Sequence, residues 1–307
     1  MSQPEGFFDL QVNGYMGIDF NRDEPLLDSE VELLCNSLSA GNVSGILVTI
    51  ITDTLPVMET RLRQVARLHQ EKPDFRRVVR GIHIEGPFIN PADGYRGAHP
   101  SDAIMQADPA TMLRLLEAAE GLTRLVTLAP EQDHGCKVTR LLADRGIVVS
   151  GGHCDASESE LRAAIDNGLS MFTHLGNGCP QFLPRHDNIV QRVLNLRESL
   201  WLCFIADGVH IPFFALKNYL DLAGAEKCIV VTDAISAAGL GPGRYSLGRW
   251  NLEIKDGAAR SPDGTHLVGS AVTMQQSFEN LTEKVGLTPS EASMLLARNP
   301  RLALKTH

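Results

Sequence analysis

Apolar residues come in bursts along this chain. Eight runs, at 6–13, 45–52, 78–85, 125–130, 146–153, 170–174, 201–207 and 228–233, are rich in apolar and β-branched residues and nearly continuous rather than alternating. That pattern suits strands of a parallel sheet covered on both faces. Helical segments fill the intervals and carry their own punctuation. Asp108-Pro109 sets a capping carboxylate before a proline at the first helical position, and Gly121 closes that helix. Ser157 and Glu160 have capping-box spacing ahead of a stop at Asn167-Gly168, and Thr288-Pro289-Ser290-Glu291 opens a late helix in the same way. Eight strands alternating with helices predict an α/β fold, a (β/α)8 TIM barrel over residues 1–307 as a single domain; a doubly wound open sheet is the alternative.

Two stretches break the alternation. Residues 86–107, with GPFINPADGYRGAHP, form a long loop after the third strand, a place where compact domains put functional segments. Residues 244–268 predict a β-hairpin insertion after strand eight, with turn signals at Asp256-Gly257 and Pro262-Asp263-Gly264, ahead of a helix beginning near Ala271.

Composition narrows the function classes. The 307 residues are 43% hydrophobic and 21% charged, with a net charge of −9. Such a balance argues against a nucleic-acid or acidic-membrane partner and leaves a small-molecule substrate. No run is long enough to span a bilayer, and residues 1–5 are polar without a signal pattern. The six cysteines form no C-x-x-C pair and are expected to be reduced thiols of a cytoplasmic protein. Cys154 and Cys179, beside the motifs discussed next, are read as small packing residues.

The unusual polar residues fall at the carboxyl ends of the strands, where barrels build their sites. The run GIHIEGPFIN carries Glu85 at its end; His153 and His174 close strands five and six; Asp207 and His210 follow strand seven; Asp233 closes strand eight; Gln11 and Asn13 share a face of strand one. A strand-end glutamate turning to solvent, or a lone structural histidine, is the plain alternative at each position taken singly. Glu85, His153 and His174 together offer two imidazoles and a carboxylate, a set suited to one divalent metal ion, with zinc expected and a coordination position left open for water. Asp233 is placed to carry a proton.

The segments GFFDLQVNG (6–14), GIHIEGPFI (81–89), GGHCDAS (151–157), THLGNG (173–178), IADGVH (205–210), VTDAISAAG (231–239) and LVGSAVTM (267–274) occur in this order. Together they resemble the N-acetylglucosamine-6-phosphate deacetylase family of the amidohydrolase superfamily, from Gly6 to about Leu304. The resemblance implies that Glu85, His153 and His174 bind the metal and that Asp233 is general base and then acid. It implies that His99 polarises the acetamide carbonyl, that Asn177 and the Gly178 backbone meet the sugar-phosphate end, and that Arg185 and His210 bind phosphate. An arginine suits phosphate through its planar fork, although a solvated loop charge is the ordinary reading of Arg185.

Three features depart from the wider pattern. Many amidohydrolases carry H-x-H on strand one and hold two metals; Gln11-Val12-Asn13 puts amides there, which are poor zinc ligands, so one principal metal is expected. Family members add a small β domain from segments flanking the barrel, and most of it is expected to be missing here, with a homodimer covering any apolar surface so exposed. PRHDN (184–188) replaces a more usual R-x-P-G. The expected reaction is hydrolysis of N-acetylglucosamine 6-phosphate to glucosamine 6-phosphate and acetate. The alternatives are another N-acyl amino sugar, such as N-acetylgalactosamine 6-phosphate, or a non-catalytic sugar-phosphate-binding barrel.

Overall fold

The computed structural model describes residues 6–255, 258–260 and 267–305. Eight parallel strands run side by side in chain order. They are β1 (Phe7–Val12), β2 (Val43–Ile51), β3 (Val79–Glu85), β4 (Thr123–Leu128), β5 (Val148–Gly151), β6 (Leu169–Phe172), β7 (Trp201–Ile205) and β8 (Cys228–Val231). The seam between β8 and β1 closes through a parallel bridge between Val12 and Ala234 and through Asp9, whose carboxylate accepts from the Thr232 hydroxyl at 2.5 Å. The structure is therefore a (β/α)8 barrel and not an open sheet.

Every predicted apolar run forms a strand, but several strands stop short of their run. β5, β6 and β8 each end two residues before the polar residue expected to finish them. His153, His174 and Asp233 have φ values of 50°, 31° and 50°, so the chain leaves the extended conformation and the ladder cannot continue.

The predicted caps are present. Asp108 accepts from the Thr111 amide at the start of the helix Pro109–Ala118. Ser157 and Glu160 form a capping box on the helix Glu158–Asp166, and Thr288 and Glu291 form one on Pro289–Ser293. The helix expected near Ala271 begins at Met274, because Thr273 caps it by accepting from the Gln276 amide.

Residues pointing into the barrel form layers. Phe8, Leu10, Leu47, Leu125, Met171 and Ile229 belong to one apolar cluster at its closed end. Above them lies a polar layer in which His83, Thr127, Thr173 and Ser150 are linked by contacts of 2.6–2.7 Å. Above that layer opens the mouth.

The predicted insertion is an antiparallel three-stranded sheet, β9 (Gly243–Leu247), β10 (Trp250–Lys255) and β11 (Ala258–Arg260). Its first turn is Gly248-Arg249, between the paired residues Leu247 and Trp250. The turn signals at Asp256-Gly257 and Pro262-Asp263-Gly264 lie outside the described residues. All six cysteines are unpaired, and five are buried. Among the described residues no helix is long and apolar enough to cross a membrane.

Candidate active site

Glu85 is the last residue of β3, and His153, His174 and Asp233 follow their strands by two residues. The left-handed backbone at those three positions interrupts the strand's alternation and brings all three side chains into the same cavity as Glu85. Such conformations cost a non-glycine residue on the order of 1–3 kcal/mol each and persist where the surroundings enforce them.

Three groups converge on one oxygen. Glu85 Oε1 accepts from Gln11 Nε2 at 3.0 Å and lies 3.2 Å from His174 Nε2 and 3.3 Å from His153 Nε2. His153 Nδ1 is 2.7 Å from the Tyr95 carbonyl oxygen, which can only accept, so Nδ1 carries a proton. In the neutral ring Nε2 is then a lone pair facing a carboxylate oxygen. Two electron-rich atoms at that spacing call for a positive charge between them, either a proton or a metal ion. Burial alone would raise the Glu85 carboxyl, but its contacts with His153 and His174 outweigh burial and hold it well below the usual carboxylate range. For His153 burial works downward, and Glu85 overcomes it and raises the ring.

These donors fit a divalent metal. Two imidazole nitrogens and a carboxylate oxygen match a catalytic zinc set, and a backbone carbonyl on the far ring nitrogen is the usual outer partner of a ligating histidine. Among the described residues, the donor atoms that all lie within 4.8 Å of one another are those of Glu85, His99 and His153; His174, expected from sequence in that set, meets Glu85 but stands outside the group. His99 therefore stands as close to the cluster as a ligand would. The His99 and His174 rings meet the His153 ring edge-on at centroid distances of 4.5 and 4.8 Å. His174 Nδ1 is buried without a hydrogen-bond partner among the described residues.

His99 arrives on the long loop after β3, as its sequence position predicts. Burial, then the neighbouring His153, push its ring down to about 3, so it is neutral at working pH. Its Nδ1 is 2.8 Å from the Thr52 hydroxyl. Across the mouth, Asp233 Oδ1 accepts from Asn13 Nδ2 at 2.7 Å. Burial, then the charge of Glu85, raise the Asp233 carboxyl to about 6.

The cavity holding these groups has a volume of about 980 Å³. Asn177, Gly178 and His210 line it. A Cβ on Gly178, where φ is 62°, would stand 2.9 Å from His153 Nδ1, so only glycine fits beside that ring. Asp207 holds His210 through a 2.6 Å contact with Nδ1 and accepts from the backbone amides of Val209 and His210. The sites proposed from sequence thus come together with one exception. Arg185 is exposed on the loop after His174 and is not among the cavity's lining residues. Arg96, Leu247 and Trp250 also line the cavity and were not anticipated. The signal for the last two was the glycine-containing turn at Gly248-Arg249 between two strand-like segments.

No family model matches the chain. Individual proteins do. The chain is 32% identical over 301 residues to N-acetylglucosamine-6-phosphate deacetylase of Danio rerio, covering 96% of this chain and 73% of that protein. The chain belongs to the N-acetylglucosamine-6-phosphate deacetylase family. The chain is also 29% identical over 294 residues to N-acetylgalactosamine-6-phosphate deacetylase of Escherichia coli O157:H7, with 96% of this chain and 76% of that one covered. The fold agrees: N-acetyl-D-glucosamine-6-phosphate deacetylase of Mycobacterium smegmatis, solved as a mutant with N-acetyl-D-glucosamine-6-phosphate, superposes with a TM-score of 0.88 at 27% identity, covering 98% of this chain and 77% of that chain. Like its relatives in name, this family member is an enzyme of the class that hydrolyses amide C–N bonds.

Proposed function

We propose that this chain hydrolyses N-acetylglucosamine 6-phosphate to glucosamine 6-phosphate and acetate, with Glu85, His153 and His174 holding one divalent metal ion, zinc by their donor chemistry. The observation that carries the proposal is the meeting of His153 Nε2 and His174 Nε2 on Glu85 Oε1, within 3.3 Å, in the cavity that Asp233 and His99 also line. When bound, the ion supplies Lewis acidity toward the amide carbonyl and lowers the pKa of water to about 7.

The chain's own residues do the rest. Asn13 occupies Asp233 Oδ1, which leaves Oδ2 to take a proton from the attacking water. A carboxyl near 6 is matched to that task at neutral pH. Asp233 then returns the proton to the amide nitrogen, so that the C–N bond breaks with a neutral amine as leaving group. His99 hydrogen-bonds the carbonyl oxygen through Nε2. That requires Thr52 to give its single hydroxyl proton to His99 Nδ1 at 2.8 Å in preference to the Glu85 carbonyl at 3.3 Å, and the shorter contact favours it. Gln11 orients Glu85, and Asn13 orients Asp233.

At the other end Asn177, the Gly178 backbone and His210 receive the sugar phosphate. Arg185 shares its exposed loop with Phe182, which is 94% exposed. A homodimer that covers this loop would bury Phe182 and bring Arg185 to phosphate. Six unpaired cysteines fit a reducing cytoplasm.

The test is acetate release by metal-loaded protein from N-acetylglucosamine 6-phosphate, N-acetylgalactosamine 6-phosphate and unphosphorylated N-acetylglucosamine. Preference for the first supports the proposal; equal turnover of the unphosphorylated sugar would remove the phosphate roles of His210 and Arg185.

A further inference from the structure

The lining of the cavity is chemically divided. Arg96, Asn177, Gln181 and His210 give it polar groups, whereas Ile51 and Leu247, with Trp250 packed against them, belong to one apolar cluster and form an apolar patch. The patch borders the reacting groups on three sides. Ile51 is the register partner of Glu85. Leu247 belongs to one buried cluster with Ile51 and with Ile235, two residues beyond Asp233. Trp250 Nε1 donates to the Ala98 carbonyl at 2.6 Å, immediately before His99.

An amide carbonyl held among Glu85, Asp233 and His99 has two substituents to place. Its amine side is a phosphorylated, hydroxyl-rich sugar, which belongs against the polar groups. The acyl chain is then directed to the patch that Leu247 and Trp250 wall off.

That wall is fixed rather than loose. Arg249, at the turn between the two residues, reaches the Asp102 carboxylate at 3.0 and 3.2 Å on the His99 loop and Asp53 Oδ1 at 3.1 Å beyond β2. Asp53 is itself held by the buried Arg61. Asp19 accepts from the Gly248 amide at 2.8 Å, and Ser236 donates to the Ser246 carbonyl at 2.6 Å. A turn tied to four separate segments makes a rigid stop, and a rigid apolar stop discriminates by chain length.

We propose that Leu247 and Trp250, presented by the anchored hairpin turn, are specificity-determining residues that gauge the acyl group and restrict the enzyme to short straight-chain acyl amides. The proposal rests on the deacetylase function given above and adds which residues choose the acyl chain.

The experiment compares kcat/KM for N-acetyl- and N-butyrylglucosamine 6-phosphate in the metal-loaded wild type, Leu247→Ala, Trp250→Ala and Glu253→Gln. One methylene in an apolar pocket is worth roughly tenfold or more in kcat/KM, so the wild type should favour acetyl by about a hundredfold over the two added methylenes. Leu247→Ala and Trp250→Ala should each shrink that ratio by roughly tenfold or more, with KM for the butyryl substrate falling. Glu253 is exposed on the other face of β10, and its variant should keep the wild-type ratio. If Trp250→Ala does not fold, Leu247→Ala and the milder Trp250→Phe carry the comparison. Acetate release by the wild type with an unchanged ratio in the folded variants would overturn the gauge alone. No acetate release by the wild type would overturn the deacetylase function, and the gauge with it.

Discussion

Replacing Thr127 by valine removes one hydroxyl from the polar layer beneath the mouth and leaves the side chain's shape. The Thr127 hydroxyl is 2.7 Å from His83 Nε2 and 2.7 Å from Thr173 Oγ1, and Thr127, His83 and Thr173 are all buried. Thr173 keeps a partner, because Ser150 Oγ is 2.6 Å away. His83 Nε2 does not. Burial pushes the His83 ring down to about 4, so it cannot relieve the loss by taking a charge. Two hydrogen bonds are lost at about 1 kcal/mol net each, and an orphaned buried nitrogen costs a further 1–3 kcal/mol or so. Part of this is offset by the extra buried methyl, about 1 kcal/mol. The expected loss is about 2–4 kcal/mol of stability. With an m-value of about 3 kcal/mol/M, the urea midpoint should fall by about 1 M. Circular dichroism and fluorescence transitions should coincide, and Thr127→Ser should recover most of the loss. A valine variant within about 0.5 kcal/mol of wild type would refute the polar layer as a stabilising network.

Three further outcomes follow from the same geometry. Asp9 has no cationic partner among the described residues, and burial raises its carboxyl to about 7 from 3.8, so the folded state favours the protonated form. Its contribution is present below pH 3.8 and is lost as pH rises through about 7. Asp9→Asn should therefore unfold at higher urea than wild type at pH 8, by on the order of 2–4 kcal/mol, with the gap closing toward pH 4; a variant less stable than wild type at pH 8 would contradict this. Because Asp233 must be ionised to accept a proton, kcat/KM should fall on the acid side of about pH 6, and Asp233→Asn should abolish that limb along with most activity. Gly178→Ala should press on His153 and loosen its bond to Tyr95, weakening metal retention against a chelator by about 10–100-fold while the protein stays folded.

Much of this architecture is legible from sequence for a plain reason. Strands covered on both faces must be apolar throughout, so their runs stand out, and polar residues at their carboxyl ends stand out against them. Caps such as Asp108 and Ser157 are local and need no tertiary knowledge. What was hidden depends on distance or on the backbone. The left-handed turns at His153, His174 and Asp233 leave only a weak signature, because histidine and aspartate are enriched at positive φ but far more often adopt ordinary conformations. The Tyr95 carbonyl that fixes the His153 tautomer is a backbone atom and leaves no trace in side-chain chemistry. His83, Thr127, Ser150 and Thr173 are scattered over 91 positions of the chain and form a layer only when the barrel closes. Arg185 matches its motif spacing, yet the loop holds it away from the cavity of its own chain.

The most direct test of the central claim is acetate release from N-acetylglucosamine 6-phosphate by wild type and Asp233→Asn, with bound metal counted in both. The account predicts about one metal per chain in each protein and a loss of about 10²–10⁴-fold in kcat for the variant. Equal turnover at equal metal content would contradict the assignment of Asp233 as the proton carrier, and turnover by protein stripped of metal would contradict the site built on Glu85, His153 and His174.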